Sequence, residues 1–337
     1  ARFKAEFLQQ HYDVCGVPMK AFLIARLTEI QRLGTILPWF YNAIVRNRMT
    51  GNMLKRILHF APKRTIPTLY KTTLKHWLGR YRRKNRGETV GKVFLFADEF
   101  TNYMDVEIGI KMIELLDWLG YEVIIPKHVE SGRTSISKGM LKVAKGVARE
   151  NVLLLKDLVT ENIPLVGIEP SCILSFRDEY PDLVGEDLKE EAVRLGKNCL
   201  LYDEFFTREI RAGRIQAEQF TDQPLKIMLH GHCHQKSLAS VEPSREMLSL
   251  PVNYSVEVIP SGCCGMAGAF GYEKKHYELS MKIGEQVLFP AVRGAGENVC
   301  ISAPGTSCRQ QIKDGTGKQA LHPIEVLYEA LKCTKEK

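Results

Sequence analysis

Two adjacent cysteines flanked by glycine, in Ser261-Gly262-Cys263-Cys264-Gly265, have partner thiols on either side in the chain. Cys233 stands upstream in His230-Gly231-His232-Cys233-His234, and Cys308 downstream in Pro304-Gly305-Thr306-Ser307-Cys308-Arg309. Neighbouring side chains of an extended strand point to opposite faces, so consecutive thiols reach one centre only where the backbone turns sharply, which glycine permits. Four soft sulfur donors drawn from three loops suit an iron-sulfur cluster and, failing that, zinc. Backbone N–H groups at Gly262, Gly265 and Gly268 are candidates to hydrogen-bond the sulfurs, and His232 and His234, which flank Cys233, are candidate donors to the centre or substitute ligands.

The chain holds nine cysteines. Cys15, Cys199 and Cys333 lie in helix-like surroundings and Cys300 in the apolar run Asn298-Val299-Cys300-Ile301, so these four read as packing residues. A disulfide framework fits poorly, because the chain is far longer than the small secreted domains that need staples and the count is odd. Gly262, Gly265, Gly268 and Gly271 recur at every third position and could instead cradle an anion at a helix start, which would leave the cysteines unexplained.

The elements that must position these loops alternate. Short runs at 93–96, 120–125, 165–168, 227–229, 255–259 and 299–301 read as strands, separated by helical patterns at 106–119, 140–160, 240–248 and 274–293. Strands separated by helices imply parallel sheets with right-handed crossovers, hence an α/β fold. The unit occurs twice, and the chain divides into a basic helical segment and linker (1–90), a first α/β repeat (91–222) and a second α/β repeat carrying the thiols (223–337). Superposed on the second repeat, the first places Phe100 at Cys233, Glu130-Ser131-Gly132 at Cys263-Cys264-Gly265, and Cys172 at Cys308. Every such position lies just after a strand end, the usual location of a site in open α/β sheets. With one thiol of four, the first repeat reads as a metal-free relic of a duplicated site.

With 337 residues there is room for two cores, and the net charge of +8 is unevenly spread. Residues 1–90 hold 18 Lys+Arg against 4 Asp+Glu, so the remainder of the chain is net acidic. No zinc-finger spacing, RNA-binding signature or helix-turn-helix accompanies this basicity, which excludes nucleic acid and favours an anionic membrane surface or an acidic partner domain. The apolar stripe Leu23, Leu27, Ile30, Leu37, continued by Trp39, Phe40, Ile44, Met53, Leu54, Ile57 and Leu58, is expected to face a core, with a membrane interface as the alternative. The most apolar stretch, 21–45, is broken by Arg26, Glu29, Arg32 and Pro38 and does not read as a membrane span. No secretory signal is expected, which places the protein in the cytoplasm with a peripheral position at the inner face of the membrane as an option. The run 80–87 reads as a solvated linker, and Ala1-Arg2-Phe3-Lys4 opens directly in helix, as a piece of a longer polypeptide would. Arg133 and Lys138 could be a vestigial anion contact or simply exposed charge at a helix start.

These motifs together resemble a known family. His230-Gly231-His232-Cys233-His234-Gln235-Lys236, Gly262-Cys263-Cys264-Gly265-Met266-Ala267-Gly268, Gly305-Thr306-Ser307-Cys308-Arg309 and Ala320-Leu321-His322-Pro323 are similar to the C-terminal cysteine-rich region of FAD-linked oxidases of the glycolate and D-lactate dehydrogenase type. The same module occurs in the third subunit of anaerobic glycerol-3-phosphate dehydrogenase and the B subunit of heterodisulfide reductase. The first repeat matches through Phe100-Thr101-Asn102-Tyr103, Gly132-Arg133-Thr134-Ser135 and Gly167-Ile168-Glu169-Pro170-Ser171-Cys172. The resemblance implies an electron-transferring oxidoreductase component with a cluster, of the 4Fe-4S type, on Cys233, Cys263, Cys264 and Cys308. It further implies an FAD-binding oxidase domain and a ferredoxin-like cluster segment elsewhere, oxidation of a 2-hydroxy acid or similar substrate, and a quinone or membrane-associated acceptor.

Two departures stand out. Glu130-Ser131 occupies a place where related first repeats carry Cys-Cys, and Gly305 occupies the earlier position of a Cys-x-x-Cys, which leaves four thiols rather than five. No G-x-G-x-x-G dinucleotide fingerprint is present. Beside the electron-transfer role stand a docking module that binds structural zinc and, by analogy with heterodisulfide reductase, direct thiol-disulfide chemistry at Cys263-Cys264.

Overall fold

The computed structural model describes residues 2–84 and 87–332. It is an α/β protein in which two parallel sheets follow a helical N-terminal segment, as expected. The first sheet contains β1 (Gly91–Phe96), β2 (Tyr121–Ile124), β3 (Leu165–Gly167) and β4 (Cys199–Leu201), in the order β2-β1-β3-β4. The second contains β5 (Leu225–Leu229), β6 (Tyr254–Val258) and β7 (Val299–Ser302), in the order β6-β5-β7. Every pairing is parallel.

The second sheet repeats the connectivity of the first, with its fourth strand reduced to one parallel bridge between Ser302 and Leu321. A helix begins at the same point after each fourth position: Tyr202–Arg211 after β4 and Pro323–Glu329 after Leu321. The two helices are exchanged between repeats. Tyr202–Arg211 packs on Glu242–Leu248 of the second repeat, and Pro323–Glu329 packs on Val106–Trp118 of the first. Their apolar faces merge Val93, Leu95, Met112, Leu116, Phe205, Phe206, Ile227, Leu229, Met247, Ile324 and Leu327 into one buried cluster. Two short sheets thereby share a core larger than either could bury alone.

β4 was not expected. Cys199-Leu200-Leu201 continues the preceding helical texture in the sequence, yet Leu165, Val166 and Gly167 pair with it, so Cys199 lies in a buried strand rather than a helix. Cys15 ends the helix Arg2–Cys15 and is exposed, not packed, while Cys333 lies outside the described residues. The pattern at 274–293 is two helices, Tyr277–Gln286 and Leu288–Gly294, interrupted at Val287.

The N-terminal segment departs from expectation in two ways. Its apolar stripe is only partly covered: Leu23, Leu27, Ile30, Ile44, Leu54 and Leu58 are half-buried, whereas Leu37, Trp39, Phe40, Met53 and Ile57 are exposed. Some of its cations, in contrast, find acids within this chain. Arg2 pairs with Asp178 and Asp182, Lys20 with Glu273 at 2.9 Å, Arg64 with Asp314 at 3.1 Å, and Lys84 with Glu114 at 2.8 Å. Part of the expected linker is tied down as well. Asp117 accepts hydrogen bonds from Tyr81, Arg83 and the Lys84 backbone, while Asn85 and Arg86 lie outside the described residues.

Glu273 joins the three parts of the chain, since Lys20 and Lys138 of the N-terminal segment and the first repeat both reach it. Burial alone would raise its pKa, but the two ammonium groups overcome this and hold the carboxyl at about 2 against an ordinary 4.5. A carboxyl lowered in the folded state contributes stability above its unfolded pKa and loses it as pH falls toward the folded value, here on the order of 3 kcal/mol. Urea titrations of wild type and Glu273→Gln should therefore differ most above pH 5 and converge as the pH approaches 2.

Candidate metal centre

Each cysteine loop follows a strand of the second sheet. β5 runs into His230-Gly231-His232 and then the helix Cys233–Leu238, whose cap is His232: its Nδ1 accepts from His234 N at 3.2 Å. β7 runs through Ala303-Pro304-Gly305 into the helix Thr306–Thr316, which carries Cys308 in its first turn. After β6 the chain passes Ser261 and Gly262 to Cys263 and Cys264, then turns back at Gly265 with φ +95°. A wall of Ile259, Met266, Leu288, Phe289, Ile301 and Ile312 packs beneath Cys264 and Cys308.

The four thiols meet. Cys264 and Cys308 lie with His230, their ligand atoms all within 4.8 Å of one another, and Cys233 and Cys263 are near enough that the four thiols shift one another's acidity. Cys264 and Cys308 are buried, Cys233 and Cys263 half-buried. Their mutual proximity pushes Cys233 and Cys264 up and holds Cys263 and Cys308 down. Metal binding requires thiolates, so a cation held by these four residues would release whatever protons they carry.

Of the other expected contributors, Gly265 is placed to act, its N–H donating to Cys263 Sγ at 3.3 Å. Gly262 serves instead through its carbonyl, which accepts from Lys236 Nζ at 3.2 Å. Gly268 takes φ +61° in open space, and Gly271 N is consumed by Met266 O at 2.8 Å, so the four glycines shape a tight loop and do not line up their N–H groups for an anion. His232 lies beside the quartet, with Nε2 4.0 Å from Glu169 Oε1. His234 is half-buried, burial drives its pKa down to about 3, and its Nδ1 is without a partner. Arg133 and Lys138 are engaged by Glu179 and Glu273, which removes them as anion contacts.

Two residues of the site were not singled out from the sequence. His230 is fully buried, receives or gives a hydrogen bond at Nδ1 with Ser261 Oγ at 2.7 Å, and offers a ring nitrogen within 4.8 Å of the sulfurs of Cys264 and Cys308. Lys236 lays its ammonium over the cysteine loop, bonded to Ser261 O; burial lowers its pKa while the surrounding thiols oppose that shift. The adjacency of His230 and Lys236 to the motif was the available signal. Gly305 explains the missing fifth thiol: a Cβ there would lie 2.5 Å from His232 Cδ2 and 3.3 Å from Cys308 Sγ. The imidazole fills the space a cysteine would need.

The corresponding place in the first repeat is acidic. Asp98, Glu99 and Cys172 are buried and offer ligand atoms within 4.8 Å of one another. Ser131 satisfies both oxygens of Glu99, at 2.9 Å through N and 2.7 Å through Oγ, and Asp98 is satisfied by Phe100 N, Thr101 N and Thr101 Oγ1. Burial, then the neighbouring carboxylates, push Asp98 up to about 8.

A parallel α/β fold of two sheets with four neighbouring thiols, two of them buried, after the strand ends defines a cysteine-rich α/β module. No known protein-family model matches the chain. It is similar over 338 residues, at 25% identity, to D-2-hydroxyglutarate dehydrogenase of Escherichia coli strain K12, covering 98% of this chain and 32% of that protein. It is 25% identical over 322 residues to the third (C) subunit of anaerobic glycerol-3-phosphate dehydrogenase from the same organism, covering 95% of this chain and 79% of that polypeptide. Lactate utilization protein A of Bacillus subtilis strain 168 is 27% identical over 248 residues, 70% of this chain and 98% of that protein. The resemblance to the cysteine-rich parts of hydroxy-acid and glycerol-3-phosphate dehydrogenases therefore holds across nearly the whole chain. The chain spans about a third of the length of the D-2-hydroxyglutarate dehydrogenases it matches. Among the described residues no helix is long and apolar enough to cross a membrane.

Proposed function

We propose that this chain is the iron-sulfur, electron-transferring portion of a flavin-linked dehydrogenase that oxidises a 2-hydroxy acid or similar small substrate. The observation that supports this is the approach of Cys264 and Cys308 to within 4.8 Å of each other and of His230, with Cys233 and Cys263 near enough to shift their acidity. Those four residues would hold the cluster, of 4Fe-4S type, which supplies one-electron storage when bound. The chain's own groups do the rest. Gly265 N–H stabilises the sulfur of Cys263, His230 and His232 favour the thiolate of Cys308, and Lys236 offsets the negative charge that four thiolates concentrate.

Substrate oxidation belongs to an FAD-binding domain or subunit, with ferredoxin-like clusters between it and this centre. The exposed apolar and basic face of residues 1–90 supports contact with such a partner or with a membrane-associated acceptor such as a quinone at the inner membrane surface. The three-part division at 1–90, 91–222 and 223–337 belongs to the same reading, with the first repeat metal-free because Ser131, in the place of a ligand thiol, closes off Glu99.

Anaerobic reconstitution with iron and sulfide tests it. Wild type should bind about four irons per chain and turn brown, with a paramagnetic signal on reduction, and Cys264→Ala should abolish both. A colourless protein that retains stoichiometric zinc and takes no iron would overturn the redox role in favour of a zinc-bound docking module.

A further inference from the structure

We propose that Glu169, from the first repeat, is the positioning residue that locks Cys233 and Cys308 into one register and lowers the reduction potential of the centre they form; this rests on the iron-sulfur role proposed above. Glu169 follows β3 and is only 5% exposed. One carboxylate oxygen, Oε2, accepts from Thr306 N at 2.9 Å and from Thr306 Oγ1 at 3.1 Å. Thr306 opens the helix that carries Cys308. The residue before it is Gly305, which has no side chain with which to cap that helix and no room for one against His232. The cap comes instead from 137 residues earlier in the chain.

The other oxygen, Oε1, accepts from Ser171 N at 3.3 Å and Ser171 Oγ at 2.8 Å, which fixes the carboxylate plane, and lies 4.0 Å from His232 Nε2. His232 is in turn the cap of the helix that begins with Cys233. A single buried carboxylate thus caps the helix that carries Cys308 and stands 4.0 Å from the imidazole that itself caps the helix beginning at Cys233. The rest of its surroundings is fixed too: Asp105 shares Thr306 Oγ1 and pairs with Arg309. The first repeat, without a thiol quartet of its own, supplies the second with this acid. A negative charge buried beside a cluster disfavours the added electron, so its effect is a lower potential.

The test uses reconstituted full-length protein with Glu169→Gln, Glu169→Ala and the distant control Glu246→Gln, whose exposed partner is Arg211. Glutamine keeps an oxygen acceptor for Thr306 and removes the charge. Glu169→Gln should hold the full complement of iron and show a raised midpoint in an EPR-monitored redox titration, with Glu246→Gln unchanged. Full iron with an unmoved midpoint in Glu169→Gln would overturn the electrostatic role. In the metal-free proteins, Glu169→Ala should speed alkylation of Cys308 by roughly three- to tenfold, the range that loss of a helix cap implies. Equal rates in wild type and Glu169→Ala would overturn the positioning role. If wild type takes up no cluster, the iron-sulfur role itself fails, and the alkylation comparison still decides whether Glu169 positions Cys308.

Discussion

Arg64→Ala is expected to destabilise the protein by about 3–5 kcal/mol and to loosen the cysteine loop, because it breaks a fully buried ion pair and strands its partners. Arg64 enters from the N-terminal segment with 0% exposure. Its Nε donates to Gly271 O at 2.8 Å, Nη2 to Ser280 Oγ at 2.8 Å, and Nη1 to Asp314 Oδ2 at 3.1 Å, while the guanidinium sits over the Tyr277 ring, 5.0 Å from its centroid. Gly271 closes the turn that follows the cysteine pair, and Asp314 is on the helix that carries Cys308. One side chain therefore clamps two of the three thiol loops. Neighbouring backbone bonds reinforce it, from Ala61 N to Tyr272 O at 2.7 Å and from Lys274 N to His59 O at 2.9 Å. Arg64→Lys keeps the charge but cannot span three acceptors in one plane, so it should recover only part of the loss. Urea midpoints and the alkylation rate of Cys264 measure both effects. An Arg64→Ala protein within about 0.5 kcal/mol of wild type, the scatter of a neutral surface change, would contradict the clamp.

Arg64 also shows where the sequence stops being informative. It belongs to no periodic pattern, and its partners lie more than 200 residues away, so nothing local distinguishes it from the other cations of residues 1–90. The same holds for Glu169: Pro170-Ser171-Cys172 drew attention to the thiol, whereas the residue that reaches the other repeat is the glutamate before it. Long-range polar contacts leave no trace in spacing. The thiol loops are legible for the opposite reason, since packing alone gives no reason for Gly-Cys-Cys-Gly in the loop that follows β6. Strands buried on both faces, such as Val93-Phe94-Leu95-Phe96, are also self-evident as apolar runs.

β4 escaped notice because three residues are too few to show any period, and only pairing with β3 makes them a strand. The exposed stripe of the N-terminal segment runs against expectation for a related reason. Periodicity at Leu37, Trp39, Phe40 and Met53 identifies an apolar face but not what covers it, and among the described residues nothing buries those side chains. Part of the basic charge of that segment, by contrast, meets acids of the net acidic remainder, as Lys20 and Glu273 illustrate. Complementary charge between parts of one chain looks identical, in sequence, to complementarity with a partner.

Gly265→Ala should cost about 2–5 kcal/mol and prevent the thiol quartet from forming, whereas Gly262→Ala, three positions earlier, should be nearly silent. At φ +95° an L-residue is strained by about 1–2 kcal/mol, and the added Cβ would lie 2.3 Å from Ser280 O, a backbone atom that cannot rotate away. The loop would have to withdraw from the helix Tyr277–Gln286, taking with it the N–H that Gly265 gives Cys263 Sγ. Gly262 has no left-handed φ and nothing within 4 Å of its absent Cβ. Gly268 lies between the two, with φ +61° but open space, so Gly268→Ala should lose only about 1 kcal/mol. Urea midpoints rank the three variants, and iron uptake after anaerobic reconstitution reports on the quartet. Equal iron uptake by Gly265→Ala and wild type would mean that the cysteine pair does not depend on this turn to reach its partner thiols.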